Sequence, residues 1–217
     1  DLFARRDDTG ADVIAAIRTQ QPGVQQSDDW DGFGQRTTGS GTSVFVDAVV
    51  EEEHLIDFST RFKYQTSFYQ LVLLALLVGS GRAALRDFSH EVGKRTRVFS
   101  HGAAASTAED PQIQQVIGKA SGQVYASEAA TLRAAQAAQE AYLAHFAGDA
   151  EAERQANIAA ELESAQAQVA AVELILHATS DLFNTLGASG TSTTKQLDRH
   201  WRNARTAASH NPVIYKE

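Results

Sequence analysis

The period of the hydrophobic positions changes near Phe58. Before it, apolar residues come in short β-branched runs broken by turn formers, and after it they recur at helical spacing. Residues 1–57 read as β structure. Asp12-Val-Ile-Ala-Ala-Ile17 is a short apolar run that follows the turn former Asp8-Thr-Gly10, and Gln21-Pro-Gly23 marks another turn. Ser43–Val46 and Ala48–Val50 form a second β-branched stretch, after a Gly, Thr and Ser-rich loop over 31–42. So few strands cannot close a sheet alone, and their edges call for strands from elsewhere.

From residue 58 to 217 the pattern predicts helices. Prolines stand only at 22, 111 and 212, so long helices run unbroken. The first is expected over about 61–97. The second starts at Asp110-Pro111, a capping residue followed by the residue that suits the first helical position, and ends at Phe146 before Gly148. A third, about 150–186, carries Ile158, Leu162, Ala165, Val169, Val172 and Leu176 at alternating steps of four and three, with Phe183 continuing the stripe. A fourth spans about 194–209. The fold class expected is mainly α: an antiparallel four-helix bundle over 58–217, preceded over 1–57 by part of a β-barrel or β-sandwich domain. Alanine crowds 129–150, which suits close helix approach or a subunit interface.

Charge and composition narrow the chemistry. The net charge of -8 leaves no basic face for a nucleic-acid backbone. The longest strongly apolar run, Leu71–Val78, is far shorter than the roughly 20 residues a membrane helix needs, so no membrane partner is expected. With no cysteine there is no disulfide, thiolate zinc site or Cys nucleophile, which fits a cytoplasmic location. The chain starts at Asp1 and contains no methionine, as expected of a processed or partial chain. The one Glu-x-x-His, Glu51 to His54, lies in the β part, so a di-iron bundle site is not expected and no metal is assigned. Neither a GxxxxGK[ST] loop nor a GxSxG elbow is present. His54, His90, His101, His145 and His177 are scattered without ligand spacing and read as surface or core histidines; His177 stands four residues after Glu173, a spacing that suits a helix-surface pair rather than a catalytic dyad.

The tail stands out. Arg199, Arg202 and Arg205 recur every three residues around Trp201, and His210 follows before Asn211-Pro212. Two accounts fit this spacing. The arginines and His210 can serve ion pairs and the helix dipole, or His210 can act as a general acid or base near neutral pH.

Leu197–Thr206 with Ser209–Pro212 resembles the closing motif of flavin-dependent monooxygenases of the acyl-CoA dehydrogenase fold, the group of dibenzothiophene and sulfone monooxygenases. Asp181–Gly190 resembles the loop before that motif, and Trp30–Thr42 resembles the family's central β segment. The resemblance covers essentially the whole chain. It implies the second half of the β-domain and the whole bundle, with about half the family's usual length absent.

The resemblance also implies a site. Arg97-Val98-Phe99 matches a family motif whose arginine reaches the flavin phosphate across a subunit interface; a helix-terminal arginine offsetting the dipole is the other reading. Gly187, Ala188 and Ser189 would bring backbone N–H groups to the flavin, or form a bare turn. His210 stands about where the dehydrogenase branch has its carboxylate base, which implies the monooxygenase branch: a reduced flavin that reacts with oxygen, and His210 as the catalytic residue. Asn211 is a weaker flavin contact. Arg202 and Arg205 would position His210 or the substrate, or serve as structural ion pairs. The implied cofactor is FMN, with FAD as alternative. The implied partners are a separate reductase supplying reduced flavin, a small organosulfur, aromatic or amine substrate, and further copies of the chain in a dimer or tetramer. The alternatives are an FAD-linked acyl-CoA dehydrogenase and a non-catalytic helical-bundle assembly module.

Overall fold

The structure is a computed structural model that describes residues 1–216. It divides into two compact units, residues 1–32 with 36–65, and residues 33–35 with the chain from Thr66 onward.

The first unit holds two small antiparallel sheets. In one, β1 (Leu2–Arg5), β2 (Asp12–Ala15) and β5 (Leu55–Asp57) lie in the order β1-β2-β5, with Leu2 opposite Ala15 and Val13 opposite Asp57. In the other, β3 (Val24–Gln26) pairs with β4 (Ser43–Phe45). The β-branched Ala48–Val50 is not a strand. Only Val13 and Ala15 of this unit's apolar residues are buried. Strands this short, with so little apolar area sequestered, have no core of their own.

The second unit is built on four helices: α1 (Gln65–Lys94), α2 (Pro111–His145), α3 (Ala150–Asp181) and α4 (Asp198–His210). Local chemistry sets their ends. The Asp110 carboxylate accepts from the Gln112 N–H, with Pro111 next to it in the first turn of α2. Gly148 takes φ +76 between α2 and α3, and Asp149 then accepts from the Glu151 and Ala152 N–H groups. That four-residue link makes α2 and α3 an antiparallel pair. α3 ends at Asp181 rather than 186, giving way to 3-10 turns at Leu182–Thr185 and Gly187–Thr191.

The buried face of α3 follows the expected stripe only in part: Val172 is buried, and Leu176 and Phe183 pack against the core. Ala160, Ser164, Ala167, Gln168, Ala171, Val172, Ile175, Ala178 and Thr179 face inward, while Ile158 and Leu162 stay about half exposed. Small side chains let α2 and α3 approach closely, so the alanine face packs and the bulky one stays outside. α1 supplies the large core groups: Leu74, Leu77 and Phe88 are fully buried. Gly81 sits where an added Cβ would come within 2.6 Å of Ile175 Cδ1. By length and composition α1 matches a membrane-crossing helix. Its inward residues pack in the bundle core with Val124, Val172 and Ile175, as in a core helix.

Candidate functional site

Two loops meet at the C-terminal end of α1. Arg95 Nη1 donates to the Leu186 carbonyl at 3.0 Å, tying the α1–α2 connection to the turn at Gly187–Thr191. Arg97 and Phe99 follow on the first of these loops. The Arg97 guanidinium is exposed and has no acidic partner among the described residues. The Phe99 ring is 64 % exposed and lies 5.8 Å from that of His101. In the second loop Gly187 adopts φ +55, and Gly187, Ala188 and Ser189 are exposed. The Ser189 hydroxyl turns inward to the Leu186 carbonyl, 2.8 Å away, so this segment offers its backbone rather than that side chain.

The arginines of α4 have partners within the fold. Arg202 Nε donates to Asp198 at 2.9 Å and its Nη1 to the Phe33 carbonyl at 2.8 Å. Arg205 donates to Ser209 Oγ. Phe33 stacks on Trp201 with centroids 5.9 Å apart, and the Gln35 N–H donates to Asn203 Oδ1 at 2.8 Å. The segment 33–35 is thus docked on α4.

His210 is the last residue of α4, exposed and without a hydrogen-bond partner among the described residues. Its neighbour Asn211 is anchored twice: Nδ2 donates to Gln70 Oε1 at 2.9 Å, and the carbonyl accepts from Gln168 Nε2 at 2.7 Å. A cavity of about 200 Å³ opens beside it, lined by Thr66, Gln70, Glu161, Ser164, Pro212 and Tyr215 among others.

His200 plays no part in the sequence-based expectations. It is 6 % exposed, and its Nε2 lies 3.0 Å from Asp87 Oδ2. Arg199 pairs with the same carboxylate, and Lys195 with Glu91 one turn further along α1. Burial, then the charge of Arg199, pushes His200 below its ordinary pKa, against the pull of Asp87. Burial is also the largest effect on Asp87 and opposes its ionisation. Hydrogen bonds from Arg86 and His200 outweigh it and hold Asp87 below the usual carboxylate range. An ionised Asp87 can only accept, so the neutral imidazole carries its proton on Nε2. The signal was available: His200, Ala204, Ala207 and Ala208 share the buried stripe of α4.

The structure does not bring the expected residues into one site. Asn211 touches α1 at Gln70, whereas Arg95, Arg97 and the 187–189 turn lie past its other end at Lys94. Twenty-four residues of helix at 1.5 Å each separate these ends by about 36 Å. That is longer than the reach of a flavin mononucleotide from phosphate to ring. Among the described residues, no three His, Asp or Glu side chains cluster as metal ligands.

Residues 71–214 match the model of the "Acyl-CoA dehydrogenase, C-terminal domain" family. The chain belongs to this family. It is 32 % identical to a dibenzothiophene monooxygenase of Mycolicibacterium goodii over 95 % of its own length and 51 % of the relative's. It is likewise 32 % identical to a probable FMNH2-dependent monooxygenase, SfnC, of Pseudomonas putida, over 94 % and 52 % of the two chains. The chain thus spans about half the length of the curated relatives it matches. Among solved structures it resembles TdsC from Paenibacillus sp. A11-2 in complex with FMN and indole, at 29 % identity and TM-score 0.85, covering 98 % of this chain and 55 % of that one. It also resembles the methanesulfinate monooxygenase MsuC of Pseudomonas fluorescens, at 30 % identity and TM-score 0.84, covering 97 % and 55 %.

Proposed function

We propose that this chain is the bundle-bearing part of a cytoplasmic FMN-dependent monooxygenase that inserts one oxygen atom into a small organosulfur, aromatic or amine substrate. The observation that carries the reading over an acyl-CoA dehydrogenase is His210. Residues 206–213 contain no carboxylate to remove a substrate proton, and an exposed imidazole stands at the helix end. Relatives named as dibenzothiophene and FMNH2-dependent monooxygenases, and a similar structure holding FMN and indole, support it.

The residues present fit the cofactor. Arg97, exposed and without an acidic partner, would hold the phosphate through its planar fork, with the backbone at 187–189 beside it and the Phe99 ring against the flavin. Bound and reduced, the flavin supplies the electrons that activate oxygen. His210 donates or moves a proton at the reacting end, and Asn211 lies alongside. Arg202 and Arg205 act in this reading by fixing α4 and its end, since they are bonded to Asp198 and the Phe33 carbonyl and to Ser209.

Because the Arg97 and His210 ends are so far apart, one flavin would take Arg97 from one copy and His210 from another. The reading therefore includes a homo-oligomer, a dimer or a tetramer. Half-exposed apolar groups on α1 (Phe68, Tyr69, Val72) and α3 (Ile158, Leu162) support it. A separate reductase would supply the reduced flavin. The test is substrate-dependent oxygen incorporation with reduced FMN. Tight FAD with thioester oxidation would instead mark a dehydrogenase, and no flavin binding an assembly module.

A further inference from the structure

The loop that carries Arg97 is closed from within by two buried polar residues. Thr107 and Asp110 are each 6 % exposed. Thr107 Oγ1 donates to the carbonyl of Arg97 itself at 3.1 Å. Asp110 uses both carboxylate oxygens: Oδ1 takes the Gln112 N–H at 2.9 Å, capping α2, and Oδ2 takes the Ala103 N–H at 3.0 Å, holding the far side of the loop. Between them the Gly102 N–H donates to the Phe99 carbonyl at 2.8 Å, turning the chain back. A Cβ at Gly102 would come within 3.0 Å of Asp110 Oδ2, so the turn lies hard against the cap.

We infer that Thr107 is a positioning residue for Arg97, fixing the backbone from which the guanidinium reaches a flavin phosphate. The inference rests on the reading of Arg97 as the phosphate contact. An exposed arginine has many rotamers to lose on binding an anion. No hydrogen bond or ion pair among the described residues holds its side chain, so its direction of departure is set chiefly by its own backbone, and the one side chain hydrogen-bonded to that backbone among the described residues is Thr107. A fixed starting point lowers the ordering cost of binding.

The experiment compares the Kd of FMN with that of riboflavin, which lacks the phosphate, in the intact protein and at one redox state. Thr107→Val is expected to weaken FMN about fivefold, the worth of one ordinary hydrogen bond, and to leave riboflavin unchanged. Thr107→Ser should keep the wild-type ratio. Thr107→Ala, which frees the same carbonyl without burying a new methyl group, is the second variant and carries the same expectation. An unchanged FMN-to-riboflavin ratio in both, or equal weakening of both flavins with a lowered Tm, overturns the inference. Arg97→Ala is the control. If it leaves the ratio untouched, the phosphate reading of Arg97 fails, and this inference falls with it.

Discussion

Asp87 on α1 holds His200 on α4 through a 3.0 Å hydrogen bond from the imidazole Nε2. The bond fastens α4, and with it the helix end that carries His210, to the core cluster that holds Phe88 and Leu182. It also makes that attachment sensitive to acid.

The native state holds His200 below its ordinary pKa of 6.5, so it binds fewer protons there than the unfolded chain does. The favourable contribution is therefore complete above about pH 6.5 and is lost as the pH falls below it toward the native value. Asp87, held low, loses its own contribution only in stronger acid, below its ordinary value of 3.8. We expect stability to fall from pH 7 to 5, His200 to titrate below free histidine by NMR, and His200→Gln to flatten that dependence. An unchanged slope in the glutamine variant would remove His200 as its cause.

A site shared between copies predicts complementation. His210→Ala should lower turnover by about 10² to 10⁴-fold without unfolding the bundle, and Arg97→Ala should weaken FMN binding. Each variant alone is then impaired at every site. Refolding an equal mixture should restore activity, since about a quarter of the sites in a randomly mixed dimer combine an intact Arg97 with an intact His210. No recovery on mixing, with mixed oligomers present by mass, would place both residues in one chain's site.

Gly34 gives a purely steric test. A Cβ there would lie 2.2 Å from the Arg202 carbonyl oxygen and 2.5 Å from Thr206 Oγ1. The first is helix backbone and cannot step aside. Gly34→Ala should cost about 1–3 kcal/mol of local docking, more than the roughly 0.4–1 kcal/mol gained by stiffening the unfolded chain. The Phe33–Trp201 stack should open, read as a change in Trp201 fluorescence. A variant with wild-type Tm and emission would mean that the segment is not docked in solution.

The sequence made some of this legible and hid the rest for physical reasons. Helix ends set by local chemistry, Asp110-Pro111 and Gly148 above all, could be read directly, because a cap and its helix are neighbours in the chain. The packing face of α3 could not. A search for apolar stripes follows Ile158 and Leu162, but the residues α3 buries along that stretch are Ala160, Ser164, Ala167 and Ala171, whose value is their small size. His200 was hidden among arginines, although its spacing to Ala204 and Ala207 sets it on their buried side. The docking of Gly34 and Gln35 on α4 joins residues 168 apart and leaves no periodic trace.

Gln168 sets stability against activity. Its side chain is 2 % exposed; Nε2 donates to the Asn211 carbonyl, while Oε1 has no partner among the described residues. A buried unpaired carbonyl costs about 1–3 kcal/mol, more than one ordinary hydrogen bond returns. Gln168→Leu removes that orphan along with the bond. The half-buried Asn211 carbonyl can turn to water, so Tm should hold or rise. The residue beside His210 would then keep only its link to Gln70. Turnover should fall while FMN affinity stays constant, because in the shared site the phosphate is held by Arg97 of another copy, whose loop this substitution does not touch. A lowered Tm would show that the hydrogen bond outweighs the orphan, and unchanged turnover would show that the place of Asn211 does not matter to the chemistry at His210.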